Sequence, residues 1–509
     1  MMDAAKESLP AGPRISCIGI PTADRPAELL RALWSYYRSG QGCHNHNLRV
    51  FVSDNSRTHE NTIKVALGSF ATSINWPVFY AGPEEKAGFI VALQSMSDAP
   101  PPVLEFALFG VHGSPVTAGA NRNAILLHTI GDLVLSADDD TVCQPATLHG
   151  TEETTTLTVG GTGNDAAFWF FPGRASAVAA ATQLKINIFS EHERLLGKAL
   201  SQILSTYPPE RIRSLSKDYG RLESAAFANA QIRITFTGVL GDSGMFSTPK
   251  LVLHSGSPTI ERLDNYISTG GNLLDCRDIG RQWLAPTICR MGAPMTTATG
   301  LDNRTLLPPF LPVCRNQDEV FGATLKRCIP SALCGHLPFT IVHDPAGQRR
   351  NEPNWASAVR LCDLVLECIT SWSEPVEERT PSERMLLLGQ HVTHLGELAP
   401  ARFEEFSRSV LLIRAAKMAS HLEARLASGG DRPTCIRDHL ATQLNELRQA
   451  ITRRDYGSMR LDAPGSPQHM VKQFGQLLSW WPEILRATSM LREQGISLGQ
   501  TIAAHRTWL

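Results

Sequence analysis

Short apolar runs alternate with helix-period stretches over the first 140 residues. Ile15–Ile20 (ISCIGI) is a nearly continuous apolar run of strand length, and Leu48–Val52 (LRVFV), Trp76–Tyr80 and Leu133–Ser136 predict three more strands. Pro26 suits a first helical turn, Ala27–Tyr37 carries a helical pattern, and Asn121–Ile130 predicts another helix. Strands separated by helices predict a mostly parallel sheet with βαβ crossovers. Ligands of such sheets bind beyond the carboxyl ends of the strands. The polar clusters Thr22–Arg25, Asp54–Arg57 and Asp138–Asp140 all fall at those ends.

The middle of the chain is less regular. It holds a Thr/Gly stretch (Thr151–Gly163), an aromatic strand (Phe168–Phe171), a helix over Glu191–Leu204, and a strand (Ile232–Thr237) leading into a glycine-rich loop, Gly238–Gly244. From Trp355 the pattern turns helical, with apolar residues three and four apart over Ala356–Thr370, Phe403–Leu426 and Ile436–Thr452. Ser373–Pro381, Ser428–Pro433 and Pro464–Pro467 read as linkers. The expected organisation is a flexible N-terminus (1–14), an α/β domain (15–350) with a large insertion at about 150–305, and a C-terminal helical domain (355–509).

Composition narrows the function. At 42% hydrophobic and 19% charged, the 509 residues bury a real core. Lys+Arg total 48 against 49 Asp+Glu, a net charge of -1, so nonspecific nucleic-acid binding has no electrostatic basis. The eleven cysteines form no C-x-x-C pair and predict reduced, mostly buried thiols in a cytoplasmic protein. The N-terminal stretch lacks an apolar signal core, and no window is apolar for long enough to predict a membrane span.

Leu133–Asp140 (LVLSADDD) ends an apolar strand in three consecutive aspartates. Their repulsion raises their pKa values unless a cation offsets it. A hard cation such as Mg²⁺ or Mn²⁺ prefers carboxylate oxygens and bridges to phosphates. The ordinary alternative is a solvated acidic turn. The companions favour the metal: Ile18–Arg25 (IGIPTADR), Val50–Arg57 (VFVSDNSR) and Asn121–Asn123 (NRN) precede the aspartates in order.

Taken together, these motifs resemble the nucleotide-sugar-binding half of GT-A fold glycosyltransferases, in particular the family 2-like group. The resemblance covers about 15–140 and 310–345. It implies a GT-A (Rossmann-like) domain plus the C-terminal helical domain. It places Thr22 and Arg25 near the nucleobase and gives Asp54 the base-contacting role. Arg122 would approach the ribose or diphosphate, Asp138 and Asp139 would belong to the nucleotide-sugar site, and Asp140 would hold the metal.

Downstream, Pro312–Gly322 (PVCRNQDEVFG) opens a helical pattern. In the resembling enzymes an acidic residue at such a helix start is the general base of inverting members. Asp318 takes that role by position. Gln317 departs from the family's Glu-Asp pair and Glu319 follows directly, so the base is open between Asp318 and Glu319. A helix N-terminal acidic cap is the plain alternative. Phe339–Pro345 (FTIVHDP) is a strand followed by His343, which the resemblance offers to the metal or diphosphate. Arg349 and Arg350 follow as diphosphate clamps or a solvated basic turn.

Other chemistries fail on spacing. Gly241-Asp242-Ser243-Gly244 lacks the nucleophile elbow of serine hydrolases, Glu191-His192-Glu193 falls short of a zinc-peptidase motif, and there is no P-loop or G-x-G-x-x-G fingerprint. The activity that the resemblance implies is transfer of a sugar from a nucleotide-diphosphate sugar, UDP-sugar favoured, to a peptide, natural product or glycan acceptor, with Mn²⁺ or Mg²⁺. The alternatives are a nucleotidyltransferase acting on a sugar phosphate, against which the loop Pro21–Pro26 contains no glycine, and a non-catalytic binding or scaffold protein of the same fold. The role of the helical domain is open between binding an acceptor peptide, pairing two protomers and bracing the α/β core.

Overall fold

The computed structural model describes residues 12–41, 48–148, 155–160, 166–214, 230–253, 256–290, 295–347, 349–373, 378–428, 434–453 and 466–502. Most of the expected flexible N-terminus, much of the Thr/Gly stretch and parts of the three linkers lie outside the described residues.

The N-terminal part follows the apolar pattern: β1 (Ile15–Thr22), α1 (Pro26–Gly40), β2 (Arg49–Asp54), α2 (Glu60–Ser73), β3 (Val78–Ala81), α3 (Pro83–Gln94), α4 (Pro101–Phe109), α5 (Ala118–His128) and β4 (Leu133–Ala137). Helix α5 starts three residues before the predicted Asn121, so Asn121–Asn123 lie within the helix rather than at its opening. Ten further strands continue the chain. They are β5 (Thr141–Thr147), β6 (Leu157–Val159), β7 (Ala167–Phe171), β8 (Thr182–Gln183), β9 (Ile212–Ser214), β10 (Ile232–Asp242), β11 (Asp278–Gln282), β12 (Thr287–Arg290), β13 (Ala298–Asp302) and β14 (Leu333–His343). A last short strand, β15 (Gln500–Thr501), follows the C-terminal helices.

Among the described residues these strands form one sheet, in the order β15-β3-β2-β1-β4-β13-β10-β14-β12-β6-β9, with β11, β7, β5 and β8 branching from it. The parallel pairing expected from βαβ units is found across β3, β2, β1 and β4. Beyond β4 the sheet is mixed. Strand β13 runs antiparallel to β4 and β10, while β10 runs parallel to β14. Both faces of β1 are covered, which is why its sequence reads as a run rather than an alternation. Gly19 lets α5 sit close: a Cβ there would stand 2.6 Å from Ile125.

Two readings of the middle change. The expected glycine-rich loop is mostly strand, since β10 continues through Asp242 and all of its residues are buried. Gly238 is required by packing, because a Cβ would lie 2.2 Å from the Arg281 carbonyl. The expected helix over Glu191–Leu204 is two short helices, Ile188–Glu193 and Leu200–Leu204, separated at Gly197, which adopts φ 73°.

The C-terminal helices Leu361–Thr370, Pro381–Gly396, Pro400–Ala427, Thr434–Thr452 and Pro467–Glu493 complete the chain. Their apolar faces join the core: one buried cluster runs from Cys17 through Phe236 and Phe321 to Trp481 and Leu498. The Trp481 indole donates to the Leu307 carbonyl at 2.8 Å, and β15 pairs with β3. Among the described residues no helix is long and apolar enough to cross a membrane. The described cysteines are free, and of these Cys435 is the exposed one.

Candidate functional site

Strand β4 delivers the three aspartates into a tight turn to β5. The Asp138 amide donates to the Thr297 carbonyl at 3.0 Å, and Thr141 closes the turn by donating its amide and hydroxyl to the Asp138 carbonyl, at 3.2 and 2.7 Å. Asp139 and Asp140 are buried, whereas the Asp138 side chain is partly exposed. The three carboxylates have different sets of partners, with Arg25 shared by Asp139 and Asp140. Asp138 pairs with Arg122 of α5. Asp139 accepts from the Thr22 hydroxyl at 2.8 Å and from Arg25 at 3.0 Å. Asp140 meets Arg25 at 3.4 Å, Arg349 at 3.2 Å and His343 at 3.3 Å.

The electrostatics separate the three. Burial pushes Asp138 up to about 6 against the pull of Arg122, and pushes Asp139 up to about 7 against that of Arg25. Burial opposes ionisation of Asp140 too. There the His343 hydrogen bond and the His343, Arg25 and Arg349 charges outweigh it and hold the carboxyl well below the usual range. Asp140 is thus the member of the run that ionises most readily.

His343 stands at the end of β14, directly across from Gly241 of β10 and Thr141 of β5. Its Nδ1 lies 2.6 Å from the Asp242 carbonyl, which can only accept, so Nδ1 carries the hydrogen. When neutral the ring keeps its lone pair on Nε2, which faces Oδ1 of Asp140 at 3.3 Å; when protonated, the form that holds Asp140 ionised, Nε2 donates to that oxygen. Such a backbone contact fixes the tautomer of a metal-ligating histidine. Burial alone would lower the His343 pKa, but the Asp140 carboxylate and the Asp242 carbonyl raise it overall. The oxygen and imidazole pair fits a hard divalent cation of the Mg²⁺ or Mn²⁺ type, which takes one or two protein donors and completes its shell with water and phosphate oxygens. Among the described residues no group of three or more His, Cys, Asp or Glu is arranged to hold a metal. The remaining donors would therefore come from solvent and ligand.

Sequence reasoning missed the role of Asp242. Its carboxylate is gripped by Arg277, at 2.9 and 3.2 Å, and by the Gly244 amide at 2.8 Å; its carbonyl orients His343. The available signal was position: Asp242 follows the predicted strand Ile232–Thr237, as Asp138 follows Leu133–Ser136.

Two of the expected site residues turn elsewhere. Asp54 is fully enclosed: one carboxylate oxygen accepts from the Ser56 amide and hydroxyl at 2.7 and 2.6 Å, and the other from the Tyr80 hydroxyl at 2.9 Å. Burial raises its pKa, opposed by these bonds. Asp54 shapes the loop after β2 rather than facing an opening. The loop residues Asn55, Ser56 and Arg57 line an open cavity of about 870 Å³ together with Ala87, Phe109 and Thr117. Glu319 turns back to the Asn316 amide group and lies in the field of Lys250 and Arg360.

Asp318 looks the other way. It begins the helix Gln317–Cys328 after Asn316, which adopts φ 72°. Burial raises its pKa, with Arg122 opposing and Glu319 adding to the rise. Its charge is felt at Asp138 and at the buried Arg281 of β11. The structure therefore gathers Thr22, Arg25, Arg122, Asp138, Asp139, Asp140 and His343 at one sheet edge, with Asp318 in electrostatic reach.

No family model and no curated protein matches the chain. Among solved structures the chain is similar to the mannosyltransferase PcManGT from Pyrobaculum calidifontis, solved in complex with GDP-Man and Mn²⁺. The match is 12% identical over 96% of this chain and 89% of that one, with a TM-score of 0.28. A score at that level supports no inference about activity.

Proposed function

We propose that the chain is a glycosyltransferase that moves a sugar from a nucleotide-diphosphate sugar, with a divalent cation held by Asp140 and His343. The observation that carries this reading is the pairing of an ionised buried Asp140 with a tautomer-fixed His343 between two arginines, Arg25 and Arg349, at strand ends. A bound cation would supply charge neutralisation at the donor's diphosphate.

The other groups have roles that their surroundings support. Arg25 and Arg349 suit the diphosphate oxygens as charge-assisted donors. The nucleoside end of the donor lies over Asn55–Arg57, in the cavity that Asp54 shapes. Asp318 accepts the proton of the acceptor hydroxyl; burial raises its pKa, which strengthens it as a base. The acceptor oxygen then bonds to the anomeric carbon, and the electrons of the breaking carbon–oxygen bond leave with the nucleoside diphosphate. Between the two acidic residues of this helix, the orientation of Glu319 toward Asn316 favours Asp318 as the base.

The test is a donor screen: release of nucleoside diphosphate from a panel of UDP- and GDP-sugars, with and without Mn²⁺. The reading expects metal-dependent release from at least one donor, abolished in Asp140→Asn. No release from any donor, or release unchanged in that variant, would overturn it.

A further inference from the structure

Buried polar atoms need partners, and orphans in a folded core mark water or ligand. Here they line up across the sheet. Register places Ser136 of β4 opposite Thr299 of β13, Thr299 opposite Phe236 of β10, and Phe236 opposite His336 of β14. Opposed residues share a face, so these four form one row. Three strand spacings of about 4.8 Å make it roughly 14 Å long. Trp283 stacks on His336 at 3.9 Å and 12°, and Arg281 lies 4.8 Å over Trp283, closing one end. Arg122, paired with Asp138, stands at the other.

The hydroxyls of Ser136 and Thr299, both ring nitrogens of His336, the Trp283 indole nitrogen, the Thr297 hydroxyl, and Nε and Nη1 of Arg122 have no hydrogen-bond partner among the described residues. Each of these side chains is more than nine-tenths buried. The indole and the guanidinium are donors only, whereas nothing in the group is an acceptor only. An excess of donors calls for an anion. Asp318 lies within electrostatic reach of both ends of this row, Arg122 and Arg281.

We infer that this row is the acceptor pocket, and that the acceptor is a small hydroxylated anion. Its hydroxyl is presented to Asp318, and its carboxylate or phosphate is held at the Arg281–Trp283–His336 end. The inference rests on the glycosyltransferase reading for the word acceptor, though not for the binding itself.

Calorimetric titration of the full chain tests it, using lactate, glycerate and glycerol 3-phosphate as probes and glycerol as the uncharged control. At least one anion should bind, about tenfold or more tighter than glycerol. A carboxylate and a phosphate source are separated by which probe binds. Thr299→Val keeps the shape and removes one hydroxyl, and Trp283→Phe keeps a ring and removes the N–H. Each should weaken the anion by about tenfold, with Thr299→Val melting no lower than the natural chain. Absence of binding by every anion, or binding unchanged in both variants, overturns the inference. UDP and GDP with Mn²⁺ are titrated in parallel. Nucleotide binding without anion binding sinks the pocket alone; anion binding without nucleotide binding sinks the glycosyltransferase reading alone.

Discussion

The Nε2 atom of His343 faces Oδ1 of Asp140 at 3.3 Å while its Nδ1 donates to the Asp242 carbonyl at 2.6 Å. Two acceptors facing each other, a lone pair and a carboxylate, are stable only with a proton or a cation between them. Asp140→Asn removes the charge and His343→Phe removes the lone pair. Each is expected to lower metal-dependent donor turnover by about 10²–10³-fold, the scale of one preorganised electrostatic group. Mn²⁺ titration followed by nucleoside diphosphate release checks this; turnover within about threefold of the natural chain refutes the pairing as a cation site.

The two acidic residues opening the helix Gln317–Cys328 are separable by kinetics. Asp318→Asn should cost about 10²–10⁴-fold in kcat, the range of a general base, with donor binding retained. Glu319→Gln should leave kcat within a few-fold. Because burial raises the Asp318 pKa, the acid limb of kcat/KM should fall at a pH above the ordinary carboxylate range, since the base works only when ionised. An acid limb surviving in Asp318→Asn would assign it to another group.

The legible part of the site is the part built locally. An apolar run ending in charge signals a strand end, so Thr22, Asp54, Asp138–Asp140 and His343 could be placed on the C-terminal edge from sequence. What stayed hidden depends on register. Asp242 follows Gly238 and Gly241, whose spacing mimics a loop, and only the close approach of the Arg281 carbonyl explains why a strand uses glycine there. Arg281, Trp283 and His336 lie on β11, just after it and on β14, and their meeting is set by pairings to β10 that no local pattern encodes. Asn123 was legible as a motif, but its amide clasps Phe310, accepting from its amide at 2.7 Å and donating to its carbonyl at 3.0 Å.

Helix α5 and the segment before Asp318 touch at Gly119, where an added Cβ would fall 1.9 Å from the Leu311 carbonyl. Backbone cannot yield like a side-chain tip. Gly119→Ala should destabilise by about 1–3 kcal/mol, the overpacking range, and should lower kcat by displacing the start of the helix. Denaturant unfolding and steady-state kinetics measure the two effects. An unshifted midpoint would show that the contact relaxes freely.

Lys86 of α3 is fully enclosed, and its ammonium donates to the Asp54 carbonyl at 3.0 Å, Asn55 Oδ1 at 2.7 Å and Asn121 Oδ1 at 2.6 Å. It ties the loops after β1 and β2 together, since Asn121 also donates to the Thr22 carbonyl. Burial pulls its pKa from 10.5 down to about 7, against the Asp54 charge. The unfolded chain therefore holds the Lys86 proton over a window in which the folded chain has released it. Stability from this group rises with pH between about 7 and 10.5 and is flat, at its least favourable, on the acid side. The slope approaches about 1.4 kcal/mol per pH unit within the window. Lys86→Met should abolish that slope and take a donor from three acceptors, of which Asn121 Oδ1 keeps the Ser53 hydroxyl at 2.9 Å, at roughly 1–3 kcal/mol for each acceptor left unpaired. Unfolding free energies of both chains from pH 6 to 9.5 give the difference directly. A difference that does not change with pH would mean that Lys86 keeps its proton throughout, and that its three acceptors outweigh the cost of burying the charge.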